Sequence, residues 1–247
     1  MKDILMRIDD LGYSEGVNYG IARAVKAGPV NHVGLMTNMP WAAHGYDLIK
    51  DSGVSLGLHA NISAGRPLSP LEEVGSLIVE GHFKSSSTYN QARYQDISVQ
   101  DVITEIRQQV EAFKMLVGKL PDYIDVHAVF HDTFNQGVAM VAKEYGLPFV
   151  DVVAGKIRGT DKTIHYLGGT SQEADLLLPT LQKQAEETEH LPLFVYHPGF
   201  IDQDLIATSS LTLQRVADVA FLTGQELRDY LEQAELHLFD IRDLEKL

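Results

Sequence analysis

Short apolar runs alternate along the chain with segments in which apolar residues recur at helical spacing. The first run, 4–8, ends in the adjacent acids Asp9 and Asp10 and predicts a short buried strand. Further runs predict strands at 33–36, 54–59, 123–127, 148–153, 193–197 and 236–239. Helical spacing and capping residues predict helices at 17–25, 42–51, 98–117, 135–145, 171–189 and 213–221, and after a capping box of Thr223 and Glu226. This strand–helix–strand order is typical of a parallel sheet.

The length of 247 residues fits a single domain, 1–247, and α/β barrels are commonly of this size. We therefore expect an α/β fold of the distorted TIM-like (β/α) barrel type. The segment 64–94 interrupts the regular order, because it is rich in Gly, Ser and Pro with one short apolar piece at 76–79. We interpret it as a long inserted loop with a hairpin, a candidate for substrate binding. The stretches 156–169 and 202–204 are also predicted to be loops.

The composition restricts both the chemistry and the partners. The chain contains no cysteine, so disulfides and thiolate metal sites are excluded and any metal must be held by histidine and carboxylate. The formal charge of −14 argues against nucleic acid or an anionic membrane as a partner and is compatible with a neutral sugar. The sequence enters a predicted strand without a signal-like segment, and no apolar run approaches about 18 residues. We therefore expect a cytoplasmic protein.

Acids or histidines close four of the predicted strands. Asp9 and Asp10 close the first, and His59, His127 and His197 each close a later one. In a parallel α/β barrel all strand carboxyl ends open on the face that holds the active site, so these side chains are expected to converge. Asp10, His59 and His127 would then form a metal site with open positions. Two nitrogen ligands favour Zn²⁺ or another first-row ion over Mg²⁺.

The adjacent acids Asp9 and Asp10 are expected to have different roles. Neighbouring residues of a strand point to opposite sides, so one carboxylate can bind the metal while the other serves as a base. Asp9 is predicted to accept a proton from water and His197 to protonate the leaving group. This arrangement predicts metal-assisted hydrolysis of an amide or ester. An Asx turn that caps the next helix is the alternative interpretation of the acidic pair.

Three further residues are candidates for contact with substrate. Trp41 follows Met39 and Pro40 at a strand-to-helix loop, where it could stack on a sugar ring or have an ordinary packing role. Arg66 lies in the inserted segment and could touch substrate or be a solvated loop residue. His131 follows His127 by four residues and is predicted to contact substrate.

Four motifs resemble the YdjC-like carbohydrate deacetylase family, and they occur in order along nearly the whole chain: 9–18, 57–61, 121–127 and 197–199. The late Arg215 also agrees with the resemblance. The resemblance implies a TIM-barrel-like fold, usually homodimeric, that removes the acetyl group from N-acetylated sugars such as chitooligosaccharides. It also implies a divalent metal, commonly Mg²⁺, at Asp10, His59 and His127.

The sequence departs from the family pattern at two positions. The family usually has a histidine where this chain has Val129, and a phenylalanine where it has Leu11. The change at Val129 puts the chitooligosaccharide specificity in question. Two alternatives therefore stay open, namely hydrolysis of a phosphorylated disaccharide and a sugar-binding or regulatory barrel without activity. Glycosidases normally use two carboxylates and no histidine triad, which disfavours the first alternative.

Overall fold

The structure is a computed structural model that describes residues 2–91, 94–167 and 190–244. The helix predicted at 171–189 lies outside the described residues. The strands are β1 (Lys2–Leu11), β2 (His32–Leu35), β3 (Ser55–Ala60), β4 (Ile78–Val79), β5 (His82–Phe83), β6 (Ile124–Val126), β7 (Phe149–Asp151), β8 (Lys156–Arg158), β9 (Ile164–Tyr166), β10 (Leu191–Tyr196) and β11 (Leu236–Leu238).

The helices in the described part of the chain include some that lie singly between strands and two groups that follow one another without a strand between them. They are α1 (Glu15–Ala27), α2 (Ala42–Ile49), α3 (Ser86–Tyr89), α4 (Val99–Val117), α5 (Asp132–Tyr145), α6 (Gln203–Thr208), α7 (Leu213–Thr223) and α8 (Gln225–Gln233). None of the helices described here combines the length and the apolar character that a membrane crossing requires.

The main sheet closes into a barrel. Its strand order is β8-β7-β6-β3-β2-β1-β10-β9, with β11 paired to the beginning of β1. All pairings are parallel except that of β7 with β8. The two ends of this order meet through an antiparallel bridge between Lys156 and Thr163. The predicted α/β barrel is confirmed, and the bridge between β8 and β9 gives it a distorted, mixed closure.

Alternate residues of the strands belong to two different apolar clusters. On β1, Ile4, Met6 and Ile8 belong to the large cluster that packs against the helices, whereas Leu5 belongs to a small one. The small cluster also contains Tyr123, Val150, Ile157, Ile164, Leu193 and Val195. Because alternate residues of a barrel strand face inward, this small cluster fills the interior below the strand carboxyl ends. The interior is thus a packed floor beneath the candidate site.

Some local predictions need correction. The stretch 156–169 contains β8 and β9, whose inward apolar residues are too few to give a recognisable run. The segment after Asp202 is the short helix α6, which Asp202 caps by accepting a hydrogen bond from the Leu205 amide. Thr223 does not form the predicted capping box. It ends α7 and donates its hydroxyl to the Val219 carbonyl, so α8 begins after Gly224 without a side-chain cap.

The inserted segment packs back onto the barrel. It contains the antiparallel pair β4–β5 and the short helix α3, together with two 3₁₀ turns at Leu71–Glu73 and Gly75–Leu77. The carboxylate of Glu105 on α4 is fully buried and accepts hydrogen bonds from the amides of Leu68 and Ser69. This contact fixes the start of the segment beside the strand that carries His59.

Candidate metal centre and active site

The candidate site lies at the carboxyl ends of the barrel strands. Arg7 and Asp9 continue the inward face of β1 above Leu5, and Asp125 does the same on β6 above Tyr123. His59 is on β3, while His127 and His197 follow directly after β6 and β10. These polar residues therefore form the upper layer of the same interior that apolar side chains fill below.

Asp10 lies at an irregularity of β1. Ile8 pairs with Val33 and Leu11 with Leu35, so β1 has one residue more than β2 over this interval. Asp10 takes the extra place with a φ of 74°, in the left-handed region. Such a bulge redirects a side chain, and it brings Asp9 and Asp10 to one cavity although neighbouring strand residues were predicted to point apart. The two acids differ in their partners rather than in the side of the sheet that they face.

Asp10, His59 and His127 bring one potential ligand atom each to a common point. Asp10 Oδ1 is 2.9 Å from His127 Nδ1 and 3.3 Å from His59 Nε2, and the two ring nitrogens are 3.2 Å apart. Ligands with bonds of about 2.0–2.2 Å to one ion have neighbouring atoms separated by roughly 3 Å. The spacing and the oxygen and nitrogen donors therefore fit a divalent metal ion.

Asp125 and Arg215 orient this group from behind. Asp125 Oδ1 is 3.1 Å from His59 Nδ1, an arrangement that directs Nε2 of the ring toward the shared point. Arg215 donates a 2.6 Å hydrogen bond to Asp10 Oδ2, which leaves Oδ1 for the histidines. Burial opposes the charge of Asp10, but His127 and Arg215 hold the pKa of its carboxyl well below the ordinary value. Asp10 is therefore an ionised ligand candidate.

Asp9 belongs to a second, buried charge group beside the first. Arg7 contacts both of its carboxylate oxygens at 2.8 Å and also contacts Asp125 Oδ2 at 2.8 Å. Burial lowers the pKa of Arg7, but Asp125 and Asp9 raise it well above its usual range. Gly34 leaves the room for this packing, since a Cβ atom there would lie 2.9 Å from Asp9 Oδ1. One arginine thus connects Asp9 to the carboxylate that orients His59.

His197 occupies the remaining part of the rim. Its backbone amide donates a 2.8 Å hydrogen bond to Asp218 Oδ2, which fixes the turn that follows β10. Burial lowers the pKa of the His197 ring, while Asp10 and Asp9 oppose that change. The ring lines the same cavity as Asp9 and Asp10, so it can reach a substrate bound there.

The cavity above these residues has a volume of about 850 Å³. Trp41 lines it, with its indole Nε1 donating a 2.9 Å hydrogen bond to Asp204 Oδ2 of α6. The inserted segment contributes Ala64, Gly65 and Ser86 to the wall. The size lies in the upper part of the about 300–1,000 Å³ range of small-molecule sites.

Arg66 and His131 are not among the residues that line this cavity. Arg66 Nε donates a hydrogen bond to His82 on the exposed part of the inserted segment. His131 is the N-cap of α5, where its Nδ1 accepts a hydrogen bond from the Thr133 amide and its Nε2 contacts the Tyr94 carbonyl. Both ring nitrogens of His131 therefore have structural partners, and the structure does not bring these two residues to the metal group.

A family model described as YdjC-like protein matches residues 3–233. The chain belongs to the YdjC-like family. It is 31% identical over 252 residues to the carbohydrate deacetylase of Geobacillus stearothermophilus, and the match covers 98% of each chain. It is also 29% identical over 251 residues to the carbohydrate deacetylase of Clostridium beijerinckii, covering 98% of this chain and 99% of the relative.

Solved structures agree with the barrel fold of this YdjC-like chain. The crystal structure of a "putative cellobiose-phosphate cleavage protein" from Enterococcus faecalis V583 superposes with a TM-score of 0.85, at 23% identity and 97% coverage of both chains. A family 4 carbohydrate esterase from Streptomyces lividans, in complex with acetate, gives a TM-score of 0.53 at 11% identity, covering 100% of this chain and 97% of the esterase. At these identities the likeness shows the fold alone.

Sequence reasoning did not assign a role to Arg7, Asp125 or Arg215. Alternation offered a signal for the first two, because Arg7 precedes Asp9 by two residues and Asp125 precedes His127 by two. Arg215 approaches Asp10 from 205 positions away, so no local pattern connects them. Val129, where the YdjC-like pattern has a histidine, is fully buried in the large apolar cluster and does not line the cavity.

Proposed function

We propose that the protein is a metal-dependent hydrolase that removes acetyl groups from N-acetylated sugars. The observation that carries the proposal is the convergence of Asp10, His59 and His127 at mutual distances of 2.9–3.3 Å, in a cavity that Asp9 and His197 also line. Full-length relatives named carbohydrate deacetylase support the choice of the amide bond and of a sugar substrate.

The metal would be held by Asp10 Oδ1, His59 Nε2 and His127 Nδ1. When bound, a divalent ion with open positions lowers the pKa of water and polarises the carbonyl of the acetyl group. Two nitrogen donors favour Zn²⁺ or another first-row ion, whereas the family resemblance implies Mg²⁺. Because Arg215 contacts Asp10 Oδ2, the other oxygen of that carboxylate would be left for the ion.

Asp9 is the proposed general base. It is held in place by two contacts with Arg7, and it is not one of the three proposed ligands, so it is free to accept a proton from water as the nucleophile attacks. The bulge at Asp10 allows both neighbouring acids to act on the same cavity, one as ligand and one as base.

His197 is the proposed general acid. Breakdown of the tetrahedral adduct releases the sugar amine, which needs a proton as the C–N bond breaks. The His197 ring lies on the wall of the cavity that Asp9 and Asp10 also line; burial lowers its pKa below the ordinary value, and the charges of Asp10 and Asp9 oppose that change without reversing it. Trp41 is the proposed contact for the sugar ring. The homodimer and the cytoplasmic location expected from the sequence stay predictions.

Product analysis tests the proposal against its alternatives. Protein loaded separately with Zn²⁺ or Mg²⁺ is incubated with N-acetylglucosamine oligomers, a phosphorylated N-acetylhexosamine and cellobiose phosphate, and free acetate and new reducing ends are measured. We expect acetate from an N-acetylated sugar without new reducing ends. New reducing ends from cellobiose phosphate would favour the phosphorylated-disaccharide hydrolase. Neither product, with sugar binding retained, would favour the inactive barrel.

A further inference from the structure

Phe130 is a large aromatic residue in an unusual place. It lies three residues after His127, lines the same cavity as the candidate metal ligands, and has 53% of its surface exposed. An isolated exposed apolar residue is ordinary and needs no function. An exposed aromatic residue that the protein holds in one position is a better candidate for ligand contact. The hydrogen bonds around Phe130 show whether its loop is held in this way.

The loop that carries Phe130 is clamped by Asn90 at the end of α3. Asn90 Nδ2 donates a 2.9 Å hydrogen bond to the Ala128 carbonyl, and Asn90 Oδ1 accepts a 3.1 Å hydrogen bond from the Phe130 amide. The backbone of Ala128 has a φ of 52°, in the region that L residues rarely adopt. Val129 is fully buried. A strained backbone persists only where its surroundings hold it, and such positions cluster at ligand sites.

Other aromatic residues line the same cavity. Trp41 is fixed by its hydrogen bond to Asp204, and Tyr166 of β9 is 43% exposed. Rigid aromatic side chains supply large contact areas for ligands that have one apolar face, and the C–H faces of a pyranose ring provide such a face. A volume of about 850 Å³ leaves space beyond one sugar ring over the metal group.

We infer that Phe130 contacts a second sugar ring, next to the ring that carries the reacting acetamide, and that Asn90 is a positioning residue for this contact. Phe130 would then favour substrates of two or more rings over a monosaccharide. This inference rests on the proposed function for the identity of the reacting ring. It explains why the inserted segment, through Asn90, is tied to the loop after β6.

Ligand binding can be followed without turnover, because Trp41 is the only tryptophan of the chain and lines the cavity. The emission of the full-length protein, freed of metal with a chelator, is titrated with N-acetylglucosamine and with its β-linked dimer and trimer. Phe130→Ala should weaken binding of the dimer and trimer by about 2- to 12-fold, as expected for one aromatic contact, and leave the monosaccharide unchanged. Phe130→Tyr should retain wild-type affinity.

Asn90→Ala separates positioning from a general structural effect. It should weaken oligosaccharide binding to a similar extent, and adding it to Phe130→Ala should cause little further loss, because both changes remove one contact. Met115→Ala is the matched control, since Met115 is 82% exposed on α4 and does not line the cavity. All variants are compared for urea unfolding, so that a loss of stability is recognised.

The outcomes separate this inference from the proposed function. Equal losses for the monosaccharide and the oligosaccharides, wild-type oligosaccharide affinity in Phe130→Ala, or no chain-length dependence in the native protein would overturn the inference. Acetate release that is normal in Phe130→Ala for every chain length would also overturn it, while leaving the deacetylase proposal intact. Length-dependent binding that Phe130→Ala weakens, in a protein that releases no acetate, supports the contact of Phe130 with a second ring while contradicting the proposed function.

Discussion

Asp125 Oδ1 lies 3.1 Å from Nδ1 of His59, while Nε2 of the same ring lies 3.3 Å from Asp10. Each ring nitrogen of His59 therefore has its own partner: Nδ1 contacts the carboxylate of Asp125, and Nε2 faces the candidate metal position. Burial raises the pKa of the Asp125 carboxyl, but Arg7 and His59 bring it below the ordinary value, so Asp125 is ionised. An anion in this place orients the ring and strengthens it as a ligand.

Asp125→Asn should weaken metal binding by about 10- to 100-fold, because the ring loses its anionic partner and the site loses one negative charge. Zn²⁺ affinity is measured by competition with a chelator. Asp151→Asn is the control, since Asp151 is equally buried at the end of β7 but is outside the metal group. His59→Ala removes a ligand and should release the ion. Undiminished metal content in His59→Ala would refute its ligand role, and unchanged affinity in Asp125→Asn would refute the orienting role.

Asp9→Asn should abolish turnover while the metal stays bound. The amide keeps the shape of the side chain and an acceptor for Arg7, but it cannot take a proton from water, so the rate should fall by about 10²- to 10⁴-fold. Acetate release and bound metal are measured on the same samples. Asp47→Asn, an exposed acid on α2, is the control. Normal turnover of Asp9→Asn would show that another group is the base.

Arg7→Met should destabilise the fold strongly. Arg7 is 4% exposed and is the shared partner of Asp9 and Asp125, so its loss leaves two buried carboxylates uncompensated. Breaking a buried ion pair from one side costs about 3–5 kcal/mol in the free energy of unfolding. Arg107→Met removes an exposed pair with Glu144 and should cost less than about 1 kcal/mol. Urea unfolding compares the two, and equal losses would contradict the predicted importance of burial.

The barrel and the main site residues could be predicted because their signals are local. Each strand is a short apolar run, and His59, His127 and His197 stand at or just after the ends of such runs. The strands β8 and β9 gave no such signal, because each is three residues long and contributes one residue, Ile157 or Ile164, to the small apolar cluster. These two strands can be recognised only from the tertiary structure, in which they form the two ends of the strand order that meet.

The interactions behind the site depend on tertiary structure. The bulge at Asp10 appears only when the pairing of β1 with β2 is known, and it changes the predicted directions of the two acids. The contact of Arg215 with Asp10 joins distant parts of the chain. Arg7 could have been found from its spacing to Asp9, but arginine is seldom fully buried, so its place in the first strand did not by itself indicate a role in the site.

His32 gives the fold a defined sensitivity to acid. It is 1% exposed on β2, where its Nε2 accepts a hydrogen bond from the Ile241 amide and its Nδ1 contacts Asn31 Oδ1. Burial lowers the pKa of His32 from 6.5 to about 4; the charge of Asp240 opposes this change, and Arg7 and Arg242 act in the same direction as burial. Protonation at Nε2 would replace an acceptor by a donor facing the Ile241 amide. The folded protein therefore holds this ring neutral.

The stabilising effect of neutral His32 should be complete above pH 6.5 and should disappear as the pH falls to about 4. In this interval the unfolded chain binds a proton that the folded chain excludes, so stability rises with pH, by about 3 kcal/mol in total from this group. His32→Gln, which keeps an acceptor for Ile241, should flatten that part of the curve. Urea unfolding of metal-free protein across the interval measures it. The exposed His165→Gln should leave the slope unchanged, and an unaltered slope in His32→Gln would exclude His32 as its source.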